Sequence, residues 1–253
     1  MLIVGAMDTI PDAHSGVGRA VRWDGCFNAR DLGGLPTVTG ASTRYRRLIR
    51  SADTRFITAA GWEAARAAGI RAVIDLRNPD EVEPGSTPTA TAGIETRLVP
   101  LDDIQDLSLW RRLTGDGLDG TPLYYRPFLD AKPERVAAAL TAIARVPDGG
   151  VVFHCASGRD RTGLISLLLL SLAGVTPEAI VADYELTLGQ LPPLYAAMGL
   201  DIEEFDVRAH MRSRGTTVSE TIISLVRDVD VAEYLAVAGV CAADIAALRT
   251  RLL

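Results

Sequence analysis

Apolar positions along the chain follow two rhythms, one of strands and one of helices. Residues 45–51 alternate loosely, as a strand does. Residues 71–77 (Arg-Ala-Val-Ile-Asp-Leu-Arg) read as a short buried strand ending in polar residues, and 94–101 as another strand. After the turn Asp148-Gly149-Gly150, Val151-Val152-Phe153 reads as a further buried strand. Between these runs, 59–69 is alanine-rich and ends in glycine, the mark of a helix with its C-cap. Lys132-Pro133-Glu134 opens a second helix with proline at an early position, continued by Val136, Leu140 and Ile143 at helical spacing. Residues 164–173 are apolar around the whole circumference, which predicts a central buried helix closed by Gly174. Thr176-Pro177-Glu178 reads as N-cap and first turn of the next helix. From there to Leu253 the pattern is helical, without a convincing strand. Three stretches lack a period: 1–24, read as an arm or edge; 28–34, a polar turn ending in Gly33-Gly34; and 102–125, read as a long irregular loop, a feature that is often functional. Strands alternating with helices predict an α/β fold, a mostly parallel central sheet flanked by helices, with a C-terminal helical layer added.

The chain has 253 residues, 48% of them hydrophobic, enough for one large domain that needs neither disulfide nor metal to hold its core. Its formal net charge of -6 argues against nucleic acid or an anionic membrane as general partners. Lys132 is the single lysine; every other basic side chain is arginine. Cys26, Cys155 and Cys241 make no disulfide framework and no pair has metal-ligand spacing. The apolar start, 1–7, lacks a basic flank, and the run 163–175 is too short to span a bilayer. These features predict a cytoplasmic protein, or one exported without a conventional signal peptide, and no stable membrane insertion.

The chemistry concentrates in Val151-Val-Phe-His-Cys-Ala-Ser-Gly-Arg-Asp-Arg-Thr-Gly163. A strand, a tight loop and a helix start aim several backbone N–H groups at one point, which is a ready anion site. Gly158 permits a conformation that a side chain would oppose. Arg161 has the planar fork that binds two phosphoryl oxygens together, and it would stabilise transition-state charge. Helix N-termini and nearby cations favour a thiolate over a thiol, and a thiolate in line with phosphorus is a competent nucleophile. Cys155 is therefore the expected nucleophile. His154 is expected to hydrogen-bond the loop rather than act as a base. Thr162 would donate a hydrogen bond to the thiolate or help the sulfur depart. Ala156, Ser157, Gly158, Arg159, Asp160 and Gly163 complete the expected substrate-binding loop. Cys26 and Cys241 have no such setting.

The His-Cys pair, five intervening residues, then Arg-Thr-Gly resembles the signature loop of the cysteine-dependent protein tyrosine phosphatase superfamily. The loop Ala156-Ser-Gly-Arg-Asp160, the segment Asn28-Ala-Arg-Asp-Leu-Gly-Gly34 and the helical C-terminal region narrow the resemblance. They look like the bacterial tyrosine phosphatases similar to mycobacterial protein tyrosine phosphatase B. That family typically has lysine where Arg159 stands. The resemblance runs from about residue 22 to the end. It implies hydrolysis of phosphotyrosine, in some members also of phosphoserine, phosphothreonine or phosphoinositides, through a phosphocysteine. It also implies no metal or other cofactor, and helices able to cover the site. Residues 1–253 are then a single phosphatase domain, with 22–175 as catalytic core and 176–253 as a helical part that forms a lid.

The leaving group needs a proton, and aspartate is the usual donor. Asp75 is the first expectation, since it ends a parallel strand on the side where α/β sites are built and its Asp-Leu-Arg setting resembles the family. Asp160, Asp130 and the pair Asp102/Asp103 remain alternatives. Arg77 and Arg159 would add positive potential, although a salt bridge is an equal expectation for Arg77. Arg30 and Asp31 read as a buried pair behind the site, and Tyr124 and Tyr125 as core. Rival functions are a phosphoinositide or inositol-phosphate phosphatase, a sulfurtransferase or arsenate reductase, and a phosphate-binding module without catalysis. The Arg-Thr-Gly flank opposes the second rival, and the presence of both Cys155 and Arg161 opposes the third.

Overall fold

The computed structural model describes residues 18–82, 93–102 and 105–253. Five strands form one sheet: β1 (Arg30–Asp31), β2 (Leu48–Ser51), β3 (Ile70–Asp75), β4 (Glu95–Leu98) and β5 (Gly150–His154), in the order β1-β2-β5-β3-β4. β1 pairs antiparallel with β2, and every other pairing is parallel. The predicted α/β class with a mostly parallel sheet holds. The strand alternation sorts the core into two layers, because successive side chains leave opposite faces. Ile49, Val73 and Val152 point to one face, where they meet Trp62 and Ala65 of helix α1 (Ala59–Ala67). Leu48, Ala72, Ile74, Val151 and Phe153 point to the other, the main core.

That main core is built by α3 (Tyr125–Ala131), α4 (Pro133–Ala144) and α5 (Asp160–Leu172). Leu164, Leu168, Leu169 and Leu170 of α5 are fully buried, each contributing about 1.5–3 kcal/mol of transfer free energy. α5 is thus the central helix that its unbroken apolar run predicts. The stretch 102–125 is less irregular than predicted: it contains α2 (Leu107–Gly115), capped by the Asp106 carboxylate on the Leu109 N–H. Leu109 and Leu113, one turn apart, are its buried face.

The chain after Thr176 is helical throughout: α6 (Pro177–Glu185), α7 (Pro192–Ala197), α8 (Val207–Ser213), α9 (Val218–Asp228), α10 (Val231–Val237) and α11 (Ala242–Leu252). α6, α9, α10 and α11 pack on one another and on α4 and α5, so they are core rather than cover. α8 adds Val207 and Met211 to the same core, and the segment between α7 and α8 is largely exposed. No helix among the described residues is long and apolar enough to cross a membrane.

Candidate active site

β5 ends at His154 and α5 begins at Asp160, so Cys155 opens a tight loop at the carboxyl edge of a central strand. Four consecutive carbonyls of this loop accept hydrogen bonds from the scaffold. The Cys155 oxygen lies 3.0 Å from His154 Nδ1. The Ala156 oxygen accepts from the Asp53 N–H at 3.0 Å. Ser157 O accepts from Asn28 Nδ2 at 2.9 Å, and Gly158 O from Arg50 Nη2 at 2.8 Å. In a trans peptide the N–H points opposite to the C=O. Each tethered carbonyl therefore turns the next residue's N–H toward the free side of the loop, and together they line an anion cradle. Gly158 holds φ +71°, and a Cβ there would run into the Ser51 backbone, so glycine is required. No side chain caps the start of α5, which leaves its positive end open to the same point.

Arg161 stands in the first turn of α5. Its guanidinium makes a two-pronged pair with Glu81, at 2.5 and 2.7 Å, and its Nε lies 3.2 Å from Asp102 Oδ2. Burial alone would pull the Arg161 pKa down; Glu81, Cys155 and Asp102 outweigh it and push it up. Glu81 is itself fixed by the Asn78 N–H and Nδ2, a capping box at the short turn Pro79–Glu81. Asp102 behaves differently from the other carboxylates. Burial, with help from Glu81 and Asp160, raises it to about 6 against the pull of Arg161. Its Oδ1 is buried without a hydrogen-bond partner. Thr162 is fully buried and its Oγ1 likewise lacks a partner.

Asp75 lies behind the loop rather than in it. It is 3% exposed, and Arg77 grips both of its oxygens, the shortest contact being 2.6 Å from Nη2. Arg77 Nη1 continues to Asp53 Oδ2 at 2.6 Å, and Asp53 is the residue whose N–H holds the Ala156 carbonyl. Burial raises the Asp75 pKa, but the hydrogen bonds and charge of Arg77 more than reverse this and it ends below the usual range. A carboxylate locked in its ionised form and wrapped by arginine is a poor proton donor, so this placement argues against the acid role expected for Asp75. His154 Nε2 is 3.8 Å from Asp75 Oδ2 and 3.3 Å from Thr54 Oγ1. Burial lowers the His154 pKa, in keeping with a neutral ring that positions the loop.

Asp130 is likewise poorly placed to donate the proton: it is exposed and pairs with Arg126 one helical turn away. Asp103 lies outside the described residues. Asp160 pairs with Arg159 at 3.2 Å. The Arg159 guanidinium lies 6.0 Å from the Phe205 ring centroid, under the segment between α7 and α8. Arg30 and Asp31 are both buried but do not pair with each other. Arg30 binds Asp183, and Asp31 accepts from the Gly33 and Arg46 N–H groups. Glu81, Arg50 and Asp53 are site residues that sequence reasoning did not single out, and Asn28 was marked only as the start of a motif, without a role. A Glu following Asp-Leu-Arg by a few residues carries no local signal of its destination.

The chain is similar to known proteins. The model of the tyrosine phosphatase family matches residues 21–253, and the chain belongs to that family. A protein of Cupriavidus necator that carries the name tyrosine-protein phosphatase is 33% identical over 181 residues, covering 69% of this chain and 65% of that one. The triple specificity protein phosphatase PtpB of Mycobacterium tuberculosis is 31% identical over 213 residues, covering 71% and 73%. A tyrosine-protein phosphatase of Nostoc commune is 32% identical over 142 residues, covering 55% and 47%. The chain thus spans between about half and three quarters of the length of these relatives.

Proposed function

We propose that the chain is a phosphatase that hydrolyses phosphomonoesters, phosphotyrosine in proteins first among them, through a phosphocysteine on Cys155. The observation that carries this reading is the set of four tethered carbonyls, which turns the loop N–H groups toward the side beside Cys155 and Arg161. The Cys155 thiolate attacks phosphorus and the bond to the leaving oxygen breaks. Asp102 is the proton donor: it adjoins Arg161, has one unpartnered oxygen and holds its proton up to about pH 6. A water then attacks the phosphocysteine and Asp102 takes a proton from it. Phosphate leaves and the thiolate returns. Arg161 binds two phosphoryl oxygens once the substrate draws it from Glu81 and Asp102.

Phosphotyrosine is favoured over a polyphosphorylated inositol by the fate of the spare arginines. Arg159 is paired with Asp160, and Arg77 is buried between Asp53 and Asp75. The name of the mycobacterial relative supports some activity on phosphoserine and phosphothreonine as well. The test is hydrolysis of para-nitrophenyl phosphate, phosphopeptides and phosphoinositides by wild type and Cys155→Ser in EDTA. Turnover by wild type alone, fastest on phosphotyrosine peptide, is expected. Equal activity of the two proteins would remove Cys155 from the mechanism, and faster turnover of phosphoinositides would reverse the substrate order.

A further inference from the structure

Two of the four tethers on the loop carbonyls lead back to one buried ionic cluster. Asp183 of α6, 1% exposed, contacts three guanidiniums: Arg19 Nη2 at 2.9 Å, Arg30 Nε at 3.0 Å and Arg50 Nη1 at 2.7 Å. Arg30 also donates to the Asp183 carbonyl, to Thr187 Oγ1 at 2.9 Å and to Asn28 Oδ1 at 3.0 Å. Both branches end on the loop. Arg50 holds Asp183 with one nitrogen and the Gly158 carbonyl with the other. Asn28, fixed through its oxygen by Arg30, holds the Ser157 carbonyl through its nitrogen. Asn28 has φ +46°, a backbone region that asparagine and aspartate tolerate better than other side chains.

The charges in this cluster do not balance. Three guanidiniums, which keep their protons under all ordinary conditions, meet one carboxylate. Asp31, also buried, offsets part of the Arg19 charge, and the cluster keeps a net positive charge. Buried charge is costly unless it is compensated. The excess lies under the loop, where a bound anion would offset it.

We infer that Asp183, Arg30, Arg50 and Asn28 are positioning residues of the loop, orienting the Ser157 and Gly158 peptides and supplying buried positive charge that a phosphoryl group offsets. The inference rests on the reading of the loop as a phosphate site. It makes α6 part of the catalytic machinery, although no residue of that helix is placed on the substrate. It also gives the Asn28-Ala-Arg motif a purpose that composition and spacing do not disclose.

Asn28→Asp and Arg50→Lys test it. Aspartate keeps the acceptor for Arg30 and the backbone preference but sets an oxygen against the Ser157 carbonyl. Lysine keeps the charge but cannot hold Asp183 and Gly158 as a fork does. Three quantities are measured on folded protein: affinity for inorganic phosphate by calorimetry, the ratio of Cys155 alkylation rates by iodoacetate and iodoacetamide, and kcat and KM for para-nitrophenyl phosphate. Each variant is expected to weaken phosphate binding about 10-fold, the worth of one charge-assisted hydrogen bond. Each should also lower the preference for the anionic alkylating agent and reduce kcat, while the pH at which kcat falls stays in place. Folded variants that bind phosphate and turn over within about twofold of wild type, as a 10-fold step is the effect sought, would overturn the inference. So would loss of folding in both variants, which would make the cluster structural only. A wild type that binds phosphate without hydrolysing anything would defeat the proposed activity, yet the phosphate affinities and alkylation ratios would still decide on the network.

Discussion

The two aspartates Asp75 and Asp102 show how neighbours assign roles to chemically identical side chains. Asp75 is buried and Asp102 largely so, and desolvation raises the pKa of each. At Asp75 the grip of Arg77 reverses the effect, whereas at Asp102 two nearby carboxylates reinforce it and Arg161 only partly opposes it. A proton donor must enter the reaction protonated, so kcat on a phosphotyrosine peptide is expected to fall as pH rises through about 6. Asp102→Asn should remove that limb and cut kcat by about 10²- to 10⁴-fold. Asp75→Asn should leave the limb where it is and act on stability instead. Its carboxyl is depressed in the fold, so its stabilisation is present above the unfolded pKa and is lost as pH falls through the folded one. The variant is expected to lose about 3–5 kcal/mol at pH 7, the cost of breaking a buried ion pair, and much less in strong acid, by thermal or urea unfolding. A limb that survives in Asp102→Asn and vanishes in Asp75→Asn would exchange the two roles. The strand-end position that recommends Asp75 in the sequence is real. What the sequence does not display is that Arg77, two residues on, folds back over it.

At the scale of elements, the loop and α5 were the most legible part of the chain. Strand, cysteine, glycine, arginine and apolar helix are contiguous, so local propensity and packing point the same way. Gly163 shows how closely α5 is seated: a Cβ there would meet the Tyr125 hydroxyl, which is buried without a partner. Gly163→Ala should therefore cost about 1–3 kcal/mol by overpacking. Tyr125→Phe alone, which deletes an unsatisfied hydroxyl, should be neutral or stabilising. Combined, the two should recover part of the loss, read as a positive coupling in a double-mutant cycle of melting temperatures. Purely additive losses would place the strain elsewhere. Helix α2 was the element least visible in advance. Gly115 ends it and the Asp-Gly pairs 116–117 and 119–120 follow it, and its buried face is only Leu109 and Leu113, too short a period to stand out from a loop.

Across the whole molecule, connections between distant segments were the part that no reading of neighbours could supply. Asp183 meets Arg30 from 153 positions away, and Glu81 meets Arg161 from 80. The same limit affected the C-terminal helices, which the sequence groups as one layer. The structure seats α6, α9–α11 and the Val207 and Met211 face of α8 in the main core, and leaves the segment joining α7 to α8 at the surface. That segment leaves Met198, Leu200, Ile202 and Phe205 between 40% and 55% exposed, beside a loop arginine. Few buried contacts mean a low free energy of local opening. It is anchored by modest contacts: His210 Nε2 to the Gly117 carbonyl at 2.8 Å, and the Gly189 N–H to Glu204. A lid restricted to α7–α8, lying over Arg159, is the arrangement these contacts favour. Chymotrypsin should cut first near Leu200 and Phe205, and vanadate in the loop should slow that cut while leaving cleavage elsewhere unchanged. Equal rates with and without vanadate would mean that these helices open independently of the site and do not gate it. Slower cutting in wild type but not in Phe205→Ala would locate the coupling at the contact between Phe205 and Arg159, where an aromatic ring of this segment reaches the side chain of a loop residue.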